Sequence, residues 1–142
     1  MTARFDLTLD CHNAPELAVF WKLALGYIDE PPPPPFKTRE EWAAHFDPDG
    51  DNSDDAGEWL CDPEGIGPRL SILKVPEPKI AKNRLHIDIR LSGDGTADER
   101  WERIKVESRR LVSAGARVLT EVDGYHMVMA DPEDNEFCIS TS

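Results

Sequence analysis

The chain has 142 residues, enough for one domain that buries most of its apolar surface without disulfides or a structural metal. Apolar residues make up 39% and charged residues 31%, and 28 acidic side chains stand against 16 basic ones, a net charge of −12. That balance argues against nucleic acid and anionic membranes as partners, because both demand a basic surface, and an anionic ligand would need a local exception. No run approaches the ~20 apolar residues of a membrane span, and Met1 to Asp6 contain no apolar signal core. Three scattered cysteines, Cys11, Cys61 and Cys138, form no Cys-x-x-Cys pair and suit a reducing compartment. The expectation is a soluble, cytoplasmic protein.

Phe5 to Cys11 alternates with period two, with Leu7, Leu9 and Cys11 on one apolar face, which predicts a strand. Asn13 is placed as an N-cap. After it Leu17, Phe20, Trp21, Ala24 and Leu25 follow the spacing of a buried helix stripe, which Gly26 ends. Five prolines, Pro31 to Pro35, then exclude helix and central strand. Thr38 with Glu41 fits a capping box for a short helix carrying Trp42 and Phe46 on one side and stopping before Pro48. The acidic run from Asp47 to Glu58 places acids at positions 1, 3, 5, 9 and 12 of a twelve-residue loop, as an EF-hand does. Asn52 at the turn glycine, Asp54 at the apolar position and the strand-like Trp59-Leu60-Cys61 that follows favour a solvated loop instead.

Trp59 to Cys61 leads into an Asp62-Pro63-Glu64-Gly65 turn, and Arg69 to Val75 is a further alternating strand stopped by Pro76 and Pro78. A strand from Leu85 to Leu91 follows. Thr96 and Glu99 again fit a capping box, Trp101, Ile104, Ser108, Leu111 and Val112 form a stripe, and Gly115 ends the helix. Arg117 to Leu119, Tyr125 to Ala130 and Glu136 to Ser140 read as strands, the last two joined at Asp131-Pro132-Glu133-Asp134-Asn135. The order of the first half therefore recurs in the second. Gly26 to Asp62 spans 36 positions and Gly115 to Asp131 spans 16, so the first half carries about 20 extra residues, a length typical of an active-site lid.

Phe20-Trp21 before a Leu25-Gly26 helix end, Lys82-Asn83-Arg84-Leu85-His86-Ile87-Asp88, and Asp131 to Cys138 together resemble the vicinal-oxygen-chelate superfamily, and within it the glyoxalase-like domain proteins common in actinobacteria. The resemblance covers nearly the whole chain. It implies an α+β fold of two βαβββ modules, 1–78 with an insertion at about 30–58 and 79–142, making one domain. The curved, mostly antiparallel sheets would form a cleft with helices on their outer faces, and the protein would be a homodimer.

In the metal-using members each module gives a ligand from its first strand and a carboxylate from its last. The matching positions here are Asp6 and His86 on the first strands and Ser71 and Cys138 on the last. Ser71 is a poor ligand and the set is short of carboxylates for Mg²⁺ or Mn²⁺. Parity gives another grouping: with Leu85, Ile87 and Ile89 toward the helix, His86, Asp88 and Arg90 face the cleft, as do Glu136, Cys138 and Ser140. His86, Asp88 and Glu136 could then build a metal site or an acid/base pair, while Asp88 has the structural alternative of balancing Arg84 or Arg90. If a metal is bound, its ligands are His86, Asp6 and Glu136. Trp42, Phe46, Trp59, Tyr125 and Met127 are the candidate apolar lining of a small-molecule pocket, with core packing as their alternative. Two functions stand. One is a metal-free binding protein for a small organic molecule, with a lidded cleft around His86, as in the drug-resistance branch. The other is a metal-dependent, glyoxalase-like lyase or isomerase acting on a small carbonyl compound, with His86 and Glu136 as catalytic candidates.

Overall fold

The computed structural model describes residues 1–46 and 57–141, and the chain divides into two compact units, Met1–Pro78 and Lys79–Ser142. In the first unit β1 (Leu7–Cys11) is followed by α1 (Ala14–Leu25), β2 (Ile28–Asp29), α2 (Arg39–Phe46), β3 (Gly57–Cys61) and β4 (Leu70–Lys74). The sheet order is β1-β4-β3-β2, with β1 and β4 parallel and the remaining pairs antiparallel. The second unit holds β5 (Asp88–Leu91), α3 (Ala97–Ser113), β6 (Arg117–Val122), β7 (His126–Ala130) and β8 (Glu136–Thr141), in the order β5-β8-β7-β6 with the same mixture of directions. Each sheet is open, and both modules of the expected α+β architecture are present.

Local chemistry accounts for the helices. Asn13 Oδ1 accepts the Glu16 N–H at 3.2 Å, Pro15 lies in the first turn, and Gly26 takes the left-handed conformation at φ 71° so that its N–H reaches Lys22 O. Thr96 and Glu99 make the reciprocal capping box over α3. At α2 the pattern shifts by one residue. Thr38 Oγ1 accepts the Glu41 N–H, but the Glu41 carboxylate reaches back to the Lys37 N–H at 2.9 Å rather than to Thr38.

Each sheet buries one face against its helix. Under α1 lie Leu60, Leu70 and Ile72 with Leu17, Phe20 and Trp21, and under α3 lie Met129, Phe137 and Ile139 with Ile104 and Leu111, all 2% exposed or less. The two Asp-Pro-Glu turns use one device twice. Asp62 accepts backbone N–H groups of Glu64, Ile66 and Gly67, and Asp131 accepts those of Glu133 and Asn135 together with the Asn135 side chain.

Several expectations need correction. The fifth strand begins at Asp88 rather than Leu85, so Leu85 escapes the alternation and is 74% exposed instead of facing the helix. Val112 lies off the buried stripe of α3. Tyr125 belongs to the β6–β7 turn and is exposed, while Met127 points to the helix side opposite Ile139 and is core, not pocket lining. Of the EF-hand-like run, Asp47 to Ala56 lie outside the described residues, as does the side chain of Phe46. No helix among the described residues is long and apolar enough to cross a membrane.

Candidate functional site

Strand parity leaves each sheet with a face turned away from its helix. In the first unit Leu60 faces α1, so Trp59 faces the other way, and across β4 its partner Ser71 and then Thr8 of β1 share that face. Part of the inserted segment rests on it. The Trp42 and Trp59 rings meet at 5.4 Å with a tilt of 54°, the Arg39 guanidinium lies 5.5 Å from the Trp59 ring, and Arg39 pairs with Glu58 and donates to Gly57 O at 2.6 Å. Ser71 is 7% exposed. Asp6 stands exposed just before β1 and lines a cavity of about 470 Å³ with Arg4, Phe5, Asp62, Ile66 and Arg69.

The second unit presents a different surface. Asp88 and Cys138 are register partners across the parallel β5–β8 pair, and Val128 continues the row on β7. His86 comes two residues before Asp88, on the same side, and the Cys138 N–H donates to Ile87 O at 3.0 Å, which holds this approach segment against β8. His86 Nδ1 and Asp88 Oδ1 are 3.1 Å apart. Among the described residues, His86, Asp88 and Cys138 form one cluster whose potential ligand atoms all lie within 4.8 Å of each other. Burial pushes the Cys138 thiol up, Asp88 adds to this by charge and hydrogen bonding, and Lys82 partly opposes it.

Glu136 shares the face but is engaged elsewhere. Its carboxylate accepts the Asn83 N–H at 2.9 Å and pairs with Lys79 at 3.4 Å, and the Asn83 bond above all holds it below the usual carboxylate range. The residue that joins His86 is Asp88. Sequence parity put Asp88 on this face, but its pairing with Cys138 depends on the register of two strands about 50 positions apart, which no local signal reports.

The same register supplies the equivalence between modules. Thr8 pairs with Ser71 as Asp88 pairs with Cys138, which makes Asp6 the counterpart of His86 two residues upstream. The positions that the resemblance assigns to metal donors are therefore Asp6 and Ser71 in the first unit and His86 and Cys138 in the second. That set does not fit a hard ion, because Ser71 is a neutral hydroxyl, largely buried, and Asp6 offers the one carboxylate.

Repeated βαβββ units with mixed four-stranded sheets define a vicinal-oxygen-chelate fold. The chain belongs to the glyoxalase-like domain family, whose model matches residues 6–140. No curated protein matches the sequence. Among solved structures it is similar to the fosfomycin resistance protein FosX from Mesorhizobium loti, at TM-score 0.64 and 10% identity over 100% of this chain and 93% of the other. A FosX variant from Listeria monocytogenes, complexed with Mn(II) and 1S,2S-dihydroxypropylphosphonic acid, gives 0.63 and 10% over 100% and 93%. A possible glyoxalase from Bacillus cereus gives 0.62 and 15% over 99% of each chain.

Proposed function

We propose that this protein binds a small organic molecule on the open face of its second sheet, with His86 and Asp88 as polar anchors. The carrying observation is the convergence of imidazole, carboxylate and thiol on that face, beside Val128. The stretch leading into that face is locally basic, although Lys79 in it is paired with Glu136. Between Lys79 and Arg90 stand Lys79, Lys82, Arg84 and Arg90, with no acid other than Asp88, which suits a ligand carrying an anionic group. The phosphonate bound by the Listeria relative is of that kind. The segment around Trp42 serves as a cover for the open face of the first sheet.

A second reading, a glyoxalase-like lyase or isomerase acting on a small carbonyl compound, is favoured by the same cluster, since three ligand types converge there. Both readings are tested on the metal-free protein by following backbone amide signals as 1S,2S-dihydroxypropylphosphonic acid or methylglyoxal is added. Shifts centred on residues 86–91 and 136–140, lost in His86→Ala, are expected. Shifts confined to other strands, no shift with either compound, or an affinity unchanged by His86→Ala would refute the placement. Turnover of methylglyoxal in the presence of a thiol by the protein reloaded with a divalent metal, abolished by His86→Ala, would decide for the metal-dependent lyase or isomerase.

A further inference from the structure

We infer that the second module by itself builds a three-donor site, His86, Asp88 and Cys138, for a thiophilic divalent ion of the Zn²⁺ or Co²⁺ type rather than for Mn²⁺ or Mg²⁺. The inference rests on the open face of the second sheet being the functional surface, and it departs from the carboxylate-rich, two-module arrangement that the fold would lead one to expect. Imidazole and thiolate favour borderline and soft ions, whereas Mn²⁺ and Mg²⁺ take carboxylates, carbonyls and water. Here one carboxylate is joined by one nitrogen and one sulfur donor, and the nearest additional carboxylate on the face, Glu136, is held by Asn83 and Lys79.

Two of the three donors are fixed by backbone pairing, Asp88 opposite Cys138, and the third is tied to them by the Ile87–Cys138 hydrogen bond. Tetrahedral coordination with bonds of about 2.0 Å to nitrogen and oxygen and about 2.3 Å to sulfur places donors roughly 3.3–3.7 Å apart. The His86–Asp88 separation of 3.1 Å is already close to this, and the widest separation in the cluster, within 4.8 Å, closes by rotation of the exposed His86 and Asp88 side chains. Three protein ligands leave a fourth position open, on the side of the cluster where, among the described residues, His86 and Asp88 are exposed. This is the arrangement of a zinc site that takes water or an exogenous ligand, not of a closed structural site. The first module has no counterpart: the equivalent positions hold Asp6, Thr8 and Ser71.

The test uses the full chain, reduced and stripped of metal, titrated with Co²⁺. One equivalent is expected to bind with a sulfur-to-cobalt charge-transfer band and visible absorption of tetrahedral intensity. Cys138→Ser should remove the charge-transfer band, and His86→Ala and Asp88→Asn should each weaken binding at least tenfold while leaving the circular dichroism of the fold unchanged. Mn²⁺ added at the same concentration should remain free by electron paramagnetic resonance. A charge-transfer band that survives in Cys138→Ser, absence of tight Co²⁺ binding by the native chain, or Mn²⁺ binding in preference to Co²⁺ would each overturn the inference. Its failure is separable from that of the binding reading, since the organic probes are titrated without metal. Probe shifts around His86 with no Co²⁺ uptake would sink the metal site alone.

Discussion

Asp62 does with one carboxylate what a short turn otherwise needs several groups to do: it accepts backbone N–H groups from Glu64, Ile66 and Gly67, the last at 2.8 Å. These bonds have full strength only with the ionised carboxylate, and the Gly67 bond foremost holds Asp62 below the ordinary value of an aspartate. Because the folded value lies under the unfolded one, Asp62 stabilises the turn above the unfolded value, and that contribution disappears as pH falls through the folded value. A carbon-detected NMR titration should place the Asp62 carboxyl midpoint below 3.8, and Asp62→Asn should flatten the acid limb of the stability profile. A midpoint at or above the ordinary carboxylate range would mean that the turn is held by something else. His86, Asp88 and Cys138 show the opposite limit of local reasoning. Their residue types and their common face follow from alternation, but their meeting requires the β5–β8 register.

At the level of elements, end chemistry was the most legible signal. Asn13, Gly26 and Thr96 act where their side chains and conformations predict, because capping is satisfied within four residues of chain. Short elements were the least legible. β2 has two residues, Ile28 and Asp29, and exists through its pairing with Cys61 and Leu60, so no periodicity could announce it. The start of β7 was blurred for a related reason: Tyr125 belongs to the turn, and the strand runs from His126, with Met127 taking the core-packing alternative. α2 was legible from its capping box but packs lightly: none of its residues with a described side chain is fully buried, and it leans on Trp42 and Arg39 against Trp59 and Glu58. Trp42→Ala should therefore cost about 0.5–1.5 kcal/mol of the docking of this helix. The expected readout is a red-shifted Trp59 emission with the sheet signal and the α1 core intact. Replacing residues 31–56 by a short linker should likewise leave a folded chain, as Gly57 still opens β3. Loss of the folded state in that deletion, with no cooperative melting transition, would show the inserted segment to be part of the core.

For the whole molecule, 28 acids against 16 bases create self-repulsion that ordinary salt screens. The melting temperature should rise from low to high sodium chloride, and a fall would mean that ion pairs such as Arg69 with Glu30 outweigh the net charge. The matched registers of the two sheets carry a consequence of another kind. A chain that contains a similar unit twice holds its own experimental control, because positions on the parallel β1–β4 pair have counterparts in the same register on β5–β8. Asp6→His, Thr8→Asp and Ser71→Cys would transplant one half's donors onto the other's scaffold, and comparing the two copies would separate what the frame imposes from what the side chains add. The two surfaces are finished differently: the first is roofed in part by its own inserted helix, and the second presents His86 and Asp88 at its exposed end.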